Sequence, residues 1–137
     1  MWWIYALLSA AFAALTAIFA KVGIKGVDSD LATAIRTVVI LIIAWAIALA
    51  RGSAENIGAL SKINWIFLVL SGCATGLSWI FYFKALQIGK VSQVAPVDKL
   101  SVALAIILSA VFLKDPLTLK SGLGALLIIS GTLVLIF

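Results

Sequence analysis

The sequence predicts an all-α membrane protein with five transmembrane helices. The chain is 65% hydrophobic and only 11% charged, whereas soluble domains carry about 25% charged residues. Five long apolar runs follow one another along the chain, and a helix needs about 20 apolar residues to cross the hydrocarbon. Lipid admits only helices and closed barrels, and these runs are too long for barrel strands, so helices are expected.

The five helices are expected at 2–24, 31–50, 63–88, 93–113 and 118–137. The first, third and fifth runs are nearly free of charge, whereas the second contains Arg36 and the fourth contains Asp98 and Lys99. The two interrupted runs alone are short enough to be buried soluble helices, but beside three clean spans they are interpreted as crossing the membrane. No linker divides the chain, so a single domain over 1–137 is expected.

Turn-forming residues separate the predicted helices. The longest loop is expected at 51–61, and Gly89 closes helix three. Asp115 and Pro116 are expected to begin helix five, with Asp115 as N-cap and Pro116 in the first helical position. No basic residue precedes Lys21, so the first run predicts a retained helix rather than a cleaved signal peptide.

The residue inventory argues against several classes of function. The chain has no His and one Cys, so no metal-ligand set, internal disulfide or nucleophile–base pair can be assembled. We therefore expect neither an enzyme nor a bound metal or cofactor. The net charge of +5 comes from scattered Lys and Arg, whereas a nucleic-acid surface needs them clustered. The expected partners are membrane lipid and a small molecule.

Charges inside the helices are the most informative residues, because a charge at membrane depth is costly and usually faces a partner or a watery cavity. Side A denotes the membrane side of Met1, and side B the opposite side. Arg36, Asp98 and Lys99 are all expected in the half of the membrane toward side B. Asp98 and Lys99 point about 100° apart on a regular helix and are not expected to pair. Arg36 is instead the expected partner of Asp98, which is also the coupling candidate if desolvation lets it bind a proton.

Helix three carries a polar stripe beside an aromatic one. The polar stripe contains Ser71, Thr75, Ser78 and Tyr82, and the neighbouring stripe contains Gly72, Gly76, Trp79 and Phe83. Two interpretations stay open for the hydroxyl groups: they line a cavity for a polar small molecule, or they bond to carbonyls of their own helix. The candidate substrate-binding residues are therefore Arg36, Asp98, Lys99, Ser71, Thr75, Ser78, Tyr82 and Trp79.

Four short motifs follow one another in the second half of the chain. They are WIFYFKALQIG at 79–89, VAP at 94–96, FLKDPLT at 112–118 and GALLIISG at 124–131. Their order and spacing resemble the EamA family of the drug/metabolite transporter superfamily, and the five-helix count extends the resemblance over the whole chain. Asp115 departs from the family pattern, in which Glu is usual, but a helix-capping role tolerates that change.

The resemblance implies export or exchange of small metabolites by alternating access. Most members of the family carry two five-helix repeats in inverted orientation, whereas this chain carries one. The excess of cations toward side B favours amino-acid-like or organic anions as substrates. A prokaryotic cell (inner) membrane is the expected location. Two alternatives stay open: a small-multidrug-type exporter of lipophilic cations that uses Asp98, and a non-transporting membrane subunit in which Asp98 and Arg36 form a closed pair.

Basic residues are balanced between the two loop faces. Side A has Arg51, Lys62, Lys114 and Lys120, and side B has Lys21, Lys25, Lys84 and Lys90. Lys and Arg in short loops normally hold the cytoplasmic side, so this tie predicts a weak preference for either orientation. An antiparallel homodimer, with one copy inverted, would then reproduce an inverted pair of repeats. A chance tie, or a homologue that supplies the inverted half, is the alternative.

Overall fold

The computed structural model describes all 137 residues and contains helices without strands. Its α-helices are α1 Trp2–Gly23, α2 Ser29–Ala50, α3 Lys62–Ile88, α4 Val91–Asp98, α5 Leu100–Leu108 and α6 Leu119–Ile136. A 3-10 helix spans Ser53–Ala59 and a π-helix spans Ser109–Leu113. Because α4, α5 and the π-helix form one span, five stretches are long and apolar enough to cross a membrane. The predicted all-α architecture with five spans is confirmed.

Side-chain caps fix the beginnings of α2 and α6. Asp28 Oδ1 accepts hydrogen bonds from the backbone N–H groups of Asp30 and Leu31, at 2.9 and 3.1 Å. Thr118 Oγ1 accepts from the N–H of Ser121 at 3.1 Å, and Ser121 Oγ accepts from the N–H of Thr118 at 3.0 Å. Each cap satisfies N–H groups that have no partner inside the helix.

The predicted role of Asp115 as N-cap is wrong, although the predicted range 118–137 agrees with α6. Lys114 adopts a left-handed conformation with a φ of 56°, and residues 114–118 form no regular structure. The chain therefore passes Pro116 before it becomes helical, and Thr118 takes the cap position.

The connection between α2 and α3 contains a 3-10 helix where only a loop was expected. Gly52 has a φ of 69°, in the left-handed region that glycine enters without a steric cost. The backbone N–H of Gly52 still bonds to the carbonyl of Leu49 at 3.0 Å. The chain reverses at this glycine, and the 3-10 helix packs against α2.

The fourth span, Val91–Leu113, is broken after its first two turns. Pro96 has no N–H group, so the carbonyl one turn earlier loses its helical donor. The helix ends at Asp98, and Lys99 has a ψ of −9° before α5 begins. The carbonyl of Pro96 accepts from the N–H of Lys99 at 3.1 Å. The hydroxyl of Thr132 on α6 lies 2.8 Å from the carbonyl of Ile128 and 3.2 Å from that of Pro96, and its single proton is shared between them. Pro96 is therefore followed by a break in the fourth span, and α6 packs against α4 beside this break.

The chain divides into two compact units. One unit comprises Met1–Phe19 and Ile88–Phe137, and the other comprises Ala20–Gln87. In the first unit α4 and α5 pack against α6, where Ala103, Ala125 and Thr132 are buried. The buried residues of the second unit are Ala20, Ile24, Ser29, Thr33, Phe83 and Leu86. The single-domain interpretation of 1–137 stays a prediction.

Most of the helical surface is uncovered within the chain. Between 6% and 11% of the most apolar stretch of each span is buried. In lipid, helix association depends on close packing and polar contacts rather than on removal of apolar surface from water. The remaining surface is therefore available to lipid and to other protein.

Candidate functional site

Arg36 lies over two aromatic rings of α3. It follows the start of α2 by about two turns. Its Cζ atom is 5.3 Å from the ring centroid of Trp79 and 4.4 Å from the ring centroid of Phe83. A guanidinium within about 6 Å of an aromatic centroid is attracted to the negative face of the ring. Trp79 and Phe83 are one helical turn apart, so they form a continuous surface that we call the aromatic platform.

The aromatic platform is fixed by the core of residues 20–87. Phe83 is 1% exposed and Leu86, in the next turn of α3, is fully buried. The ring of Tyr82 meets that of Phe83 edge to face, with centroids 6.1 Å apart and planes at 74°. Because Phe83 is held in a packed core, it gives Arg36 a defined resting surface inside the span.

No carboxylate pairs with Arg36 within residues 20–87. Asp28 caps the start of α2, and neither Asp30 nor Glu55 forms an ion pair with the guanidinium of Arg36. Stacking on a ring uses the flat face of the guanidinium, whereas its five N–H donors lie in the plane. Arg36 can therefore donate to a ligand while its Cζ atom stays close to the aromatic platform.

Asp98 and Lys99 form an ion pair, so the expectation that they would not pair is wrong. The carboxylate of Asp98 lies 3.2 Å from the ammonium of Lys99, and the two side chains are 33% and 56% exposed. The helix ends at Asp98, so the angular offset of a regular helix does not apply across this junction. The expected pairing of Asp98 with Arg36 stays a prediction, because the two residues belong to different units.

The hydroxyl groups of helix three do not behave alike. Thr75 Oγ1 donates to the carbonyl of Ser71 at 2.9 Å, as expected if the hydroxyl groups bond to carbonyls of their own helix. Ser71, Thr75 and Ser78 are exposed, and Tyr82 is half-buried. Among the predicted site residues, the structure therefore brings Arg36 and Trp79 together, and separately Asp98 and Lys99. A role of the serine hydroxyls in binding stays a prediction.

Two features of this region were not among the candidates from the sequence. Phe83 is nearer to Arg36 than Trp79 is, and its spacing of four residues from Trp79 was the available signal. Lys21 donates through Nζ to the carbonyl of Leu86 near the end of α3. A cation at this end of a helix satisfies a free carbonyl and complements the helix dipole. Lys21 thus links the ends of α1 and α3 beside the core that carries the aromatic platform.

Comparison with known proteins identifies the family. Residues 1–137 match the EamA-like transporter family. This chain belongs to the EamA-like transporter family. A Sinorhizobium protein whose name describes it as an uncharacterized transporter is 50% identical over 134 residues, which cover 98% of this chain and 95% of the relative. An uncharacterized protein of Methanocaldococcus jannaschii is 33% identical over 69 residues, half of each chain. No solved structure matches.

Membership of the EamA-like family confirms the resemblance seen in the four motifs. The family match, the name of the Sinorhizobium relative and the five apolar spans agree on one general assignment. The protein is a multi-pass membrane transporter.

Proposed function

We propose that this EamA-like protein transports small metabolites that carry a carboxylate, by alternating access as an inverted homodimer in a bacterial inner membrane. Amino-acid-like compounds and organic anions are the substrate class. The observation that supports this class is Arg36, a guanidinium within a span that rests on the aromatic platform without a carboxylate from its own unit.

A ligand carboxylate meets the physical need of such an arginine. A cation away from water is costly unless it is paired. A carboxylate satisfies a guanidinium through two parallel charge-assisted hydrogen bonds, which a single ammonium cannot reproduce. The aromatic platform keeps the guanidinium oriented before the ligand arrives, so less side-chain freedom is lost on binding.

The alternative of a lipophilic-cation exporter has less support. Such an exporter needs an available carboxylate, and aromatic faces favour cation binding. Here the carboxylate of Asp98 contacts Lys99, and the faces of Trp79 and Phe83 are taken by Arg36. Both features that would attract a ligand cation are therefore occupied by cations of the protein itself.

The helix-three glycines support the homodimer. A Cβ atom added at Gly72 or Gly76 would meet no atom within 4 Å, so this small-residue surface is not used for packing within residues 20–87. Small residues four apart let helices approach closely in lipid. A second, inverted copy would use this surface and would supply the other half of an inverted-repeat arrangement.

A ligand screen by thermal unfolding in detergent tests the substrate class. A ligand that binds only the folded protein raises its stability by about 2.7 kcal/mol at 100 times Kd. We expect amino acids or organic acids to raise Tm in the chain and to lose this effect in Arg36→Leu. Stabilisation by hydrophobic cations alone would show that the substrate class is wrong.

Substitution of Trp79 tests the aromatic platform. We expect Trp79→Leu to raise the Kd of a carboxylate ligand about 2- to 12-fold, because ordering an Arg36 side chain that is no longer held before binding costs about 0.5–1.5 kcal/mol. Trp79→Phe retains a ring face and is expected to lie close to the original Kd. The measurement is ligand titration by calorimetry in detergent. Equal Kd values for the Leu and Phe variants would exclude a role for the aromatic face.

Asp98 is the proposed coupling residue. It lies about two turns into the fourth span, at the junction of α4 and α5, and a third of its side chain is exposed. We expect Asp98→Asn to retain exchange of substrate between two compartments but to lose acceleration by a proton gradient, because the side chain of Asn has no carboxyl group to take up a proton. Transport into liposomes with and without a pH gradient measures this. An unchanged response to the gradient would remove Asp98 from the coupling role.

A further inference from the structure

An apolar groove opens between α2, the 3-10 helix and α3. The groove has a volume of about 640 Å³ and is lined by ten residues. Among them only Ser53 and Asn56 have a hydroxyl or amide side chain. Trp45 and Ala48 of α2, Ile57 of the 3-10 helix and Leu68 of α3 form its walls. The volume is in the range of small-ligand pockets, about 300–1,000 Å³, but this lining offers almost no polar contact. A flexible hydrocarbon chain fits such a lining.

The groove lies where two spans end on the same side of the membrane. α2 ends at Ala50 and α3 begins at Lys62, so the 3-10 helix between them belongs at the boundary between hydrocarbon and headgroups. Arg51 follows the wall residue Ala48 by three positions, and Lys62 follows the lining residue Leu60 by two. Glu55 is the one acidic residue of the connection. The headgroup end of the groove therefore carries a net positive charge.

We propose that the groove binds one acyl chain of an anionic phospholipid, whose phosphate is held by Arg51 and Lys62. Basic residues at the membrane surface attract anionic lipids, and long basic side chains reach the headgroups from the end of a span. A zwitterionic lipid has the same acyl chains and phosphate, but its own cation offsets the attraction to Arg51 and Lys62. The inference does not depend on which metabolite the protein transports.

Fluorescence quenching of Trp45 tests the proposal. Bromine atoms on an acyl chain quench tryptophan on contact, and Trp45 lines the groove while it is 45% exposed. The full chain is placed in phosphatidylcholine vesicles with a rising fraction of brominated phosphatidylglycerol or, separately, brominated phosphatidylcholine. The same titrations with Trp45→Phe give the contribution of the other tryptophans, which is subtracted. We expect half-maximal quenching at a roughly tenfold lower fraction of the glycerol lipid, as two basic residues at a membrane surface allow.

The headgroup contact is tested with matched charge changes. Arg51→Gln combined with Lys62→Gln is expected to raise the half-maximal fraction of brominated phosphatidylglycerol to that of the choline lipid. Lys114→Gln combined with Lys120→Gln removes two charges from the same predicted membrane side and is expected to leave the tenfold difference intact. Equal quenching by both lipids, an equal loss in both double variants, or absence of quenching because a second copy fills the groove would each overturn the proposal.

Discussion

Replacement of Arg36 by Leu is expected to lower carboxylate transport in liposomes about 10- to 100-fold, because a hydrogen bond to a charged group contributes about 1.5–3 kcal/mol. Leu is the informative replacement, since it keeps an apolar contact with Phe83 while it removes every donor. Arg36→Lys retains the charge but loses the planar pair of donors and the stacking surface, so its rate is expected to lie between the two.

Thermal unfolding of the same variants separates a binding role from a structural one. Arg36→Leu removes two cation–π contacts, but it also removes the cost of holding a cation without a carboxylate partner inside the span. We therefore expect Arg36→Leu to unfold at or above the Tm of the original chain while transport is lost. Glu55→Gln, an exposed single charge change in the 3-10 helix, serves as the control that keeps both transport and Tm, because acidic loop residues contribute little to orientation. A normal transport rate in Arg36→Leu, or a lowered Tm that accounts for the loss, would contradict the binding role.

Orientation-biased variants are expected to be inactive alone and active together. The double variant Lys114→Gln with Lys120→Gln leaves two basic loop residues on side A against four on side B. The double variant Lys25→Gln with Lys90→Gln leaves four on side A against two on side B. Because the basic loops hold the cytoplasmic side, each pair of changes directs most copies into one orientation. Each variant alone then lacks inverted partners, and we expect transport to fall about tenfold or more in cells. Co-expression supplies both orientations and is expected to restore transport.

The four substituted lysines are all exposed, so the changes are not expected to disturb packing. Co-expression of two differently tagged copies of the same variant is the control for protein amount. Full transport by either variant alone would contradict the inverted homodimer. Failure of the co-expressed pair would do so as well, provided that both proteins reach the membrane.

The spans were predictable because a membrane-crossing helix must be long and apolar, and these runs satisfy that requirement without tertiary information. The interruptions were harder to predict. Pro96 lacks a helical donor and so marks a weak point in the fourth span, but the sequence does not show that Thr132 of α6 lies 3.2 Å from the carbonyl of Pro96. Asp115 has the residue type of an N-cap, but Thr118 takes that position. Thr118 forms a capping box with Ser121 at the third helical position, where Glu or Gln is usual.

The site was predictable only in part. The cost of a charge at membrane depth singled out Arg36, but the sequence suggested a carboxylate partner where the structure places two aromatic rings. Periodicity shows which residues share a helix face and leaves open which faces of two helices meet. The apolar groove was not foreseen for the same reason, since it requires Leu68 of α3 to approach the end of α2 and the 3-10 helix.

The most direct test of an inverted homodimer measures where the C-terminus lies. Phe137 is fully exposed, so Phe137→Cys in a Cys73→Ser background gives one accessible thiol at the end of the last span. Intact spheroplasts that express this chain alone are treated with a membrane-impermeant thiol reagent, before and after permeabilisation. We predict that about half of the molecules react before permeabilisation, as two equally populated orientations require, and that all react afterwards. Labelling of all or none before permeabilisation, in cells where the chain still transports, would contradict the account.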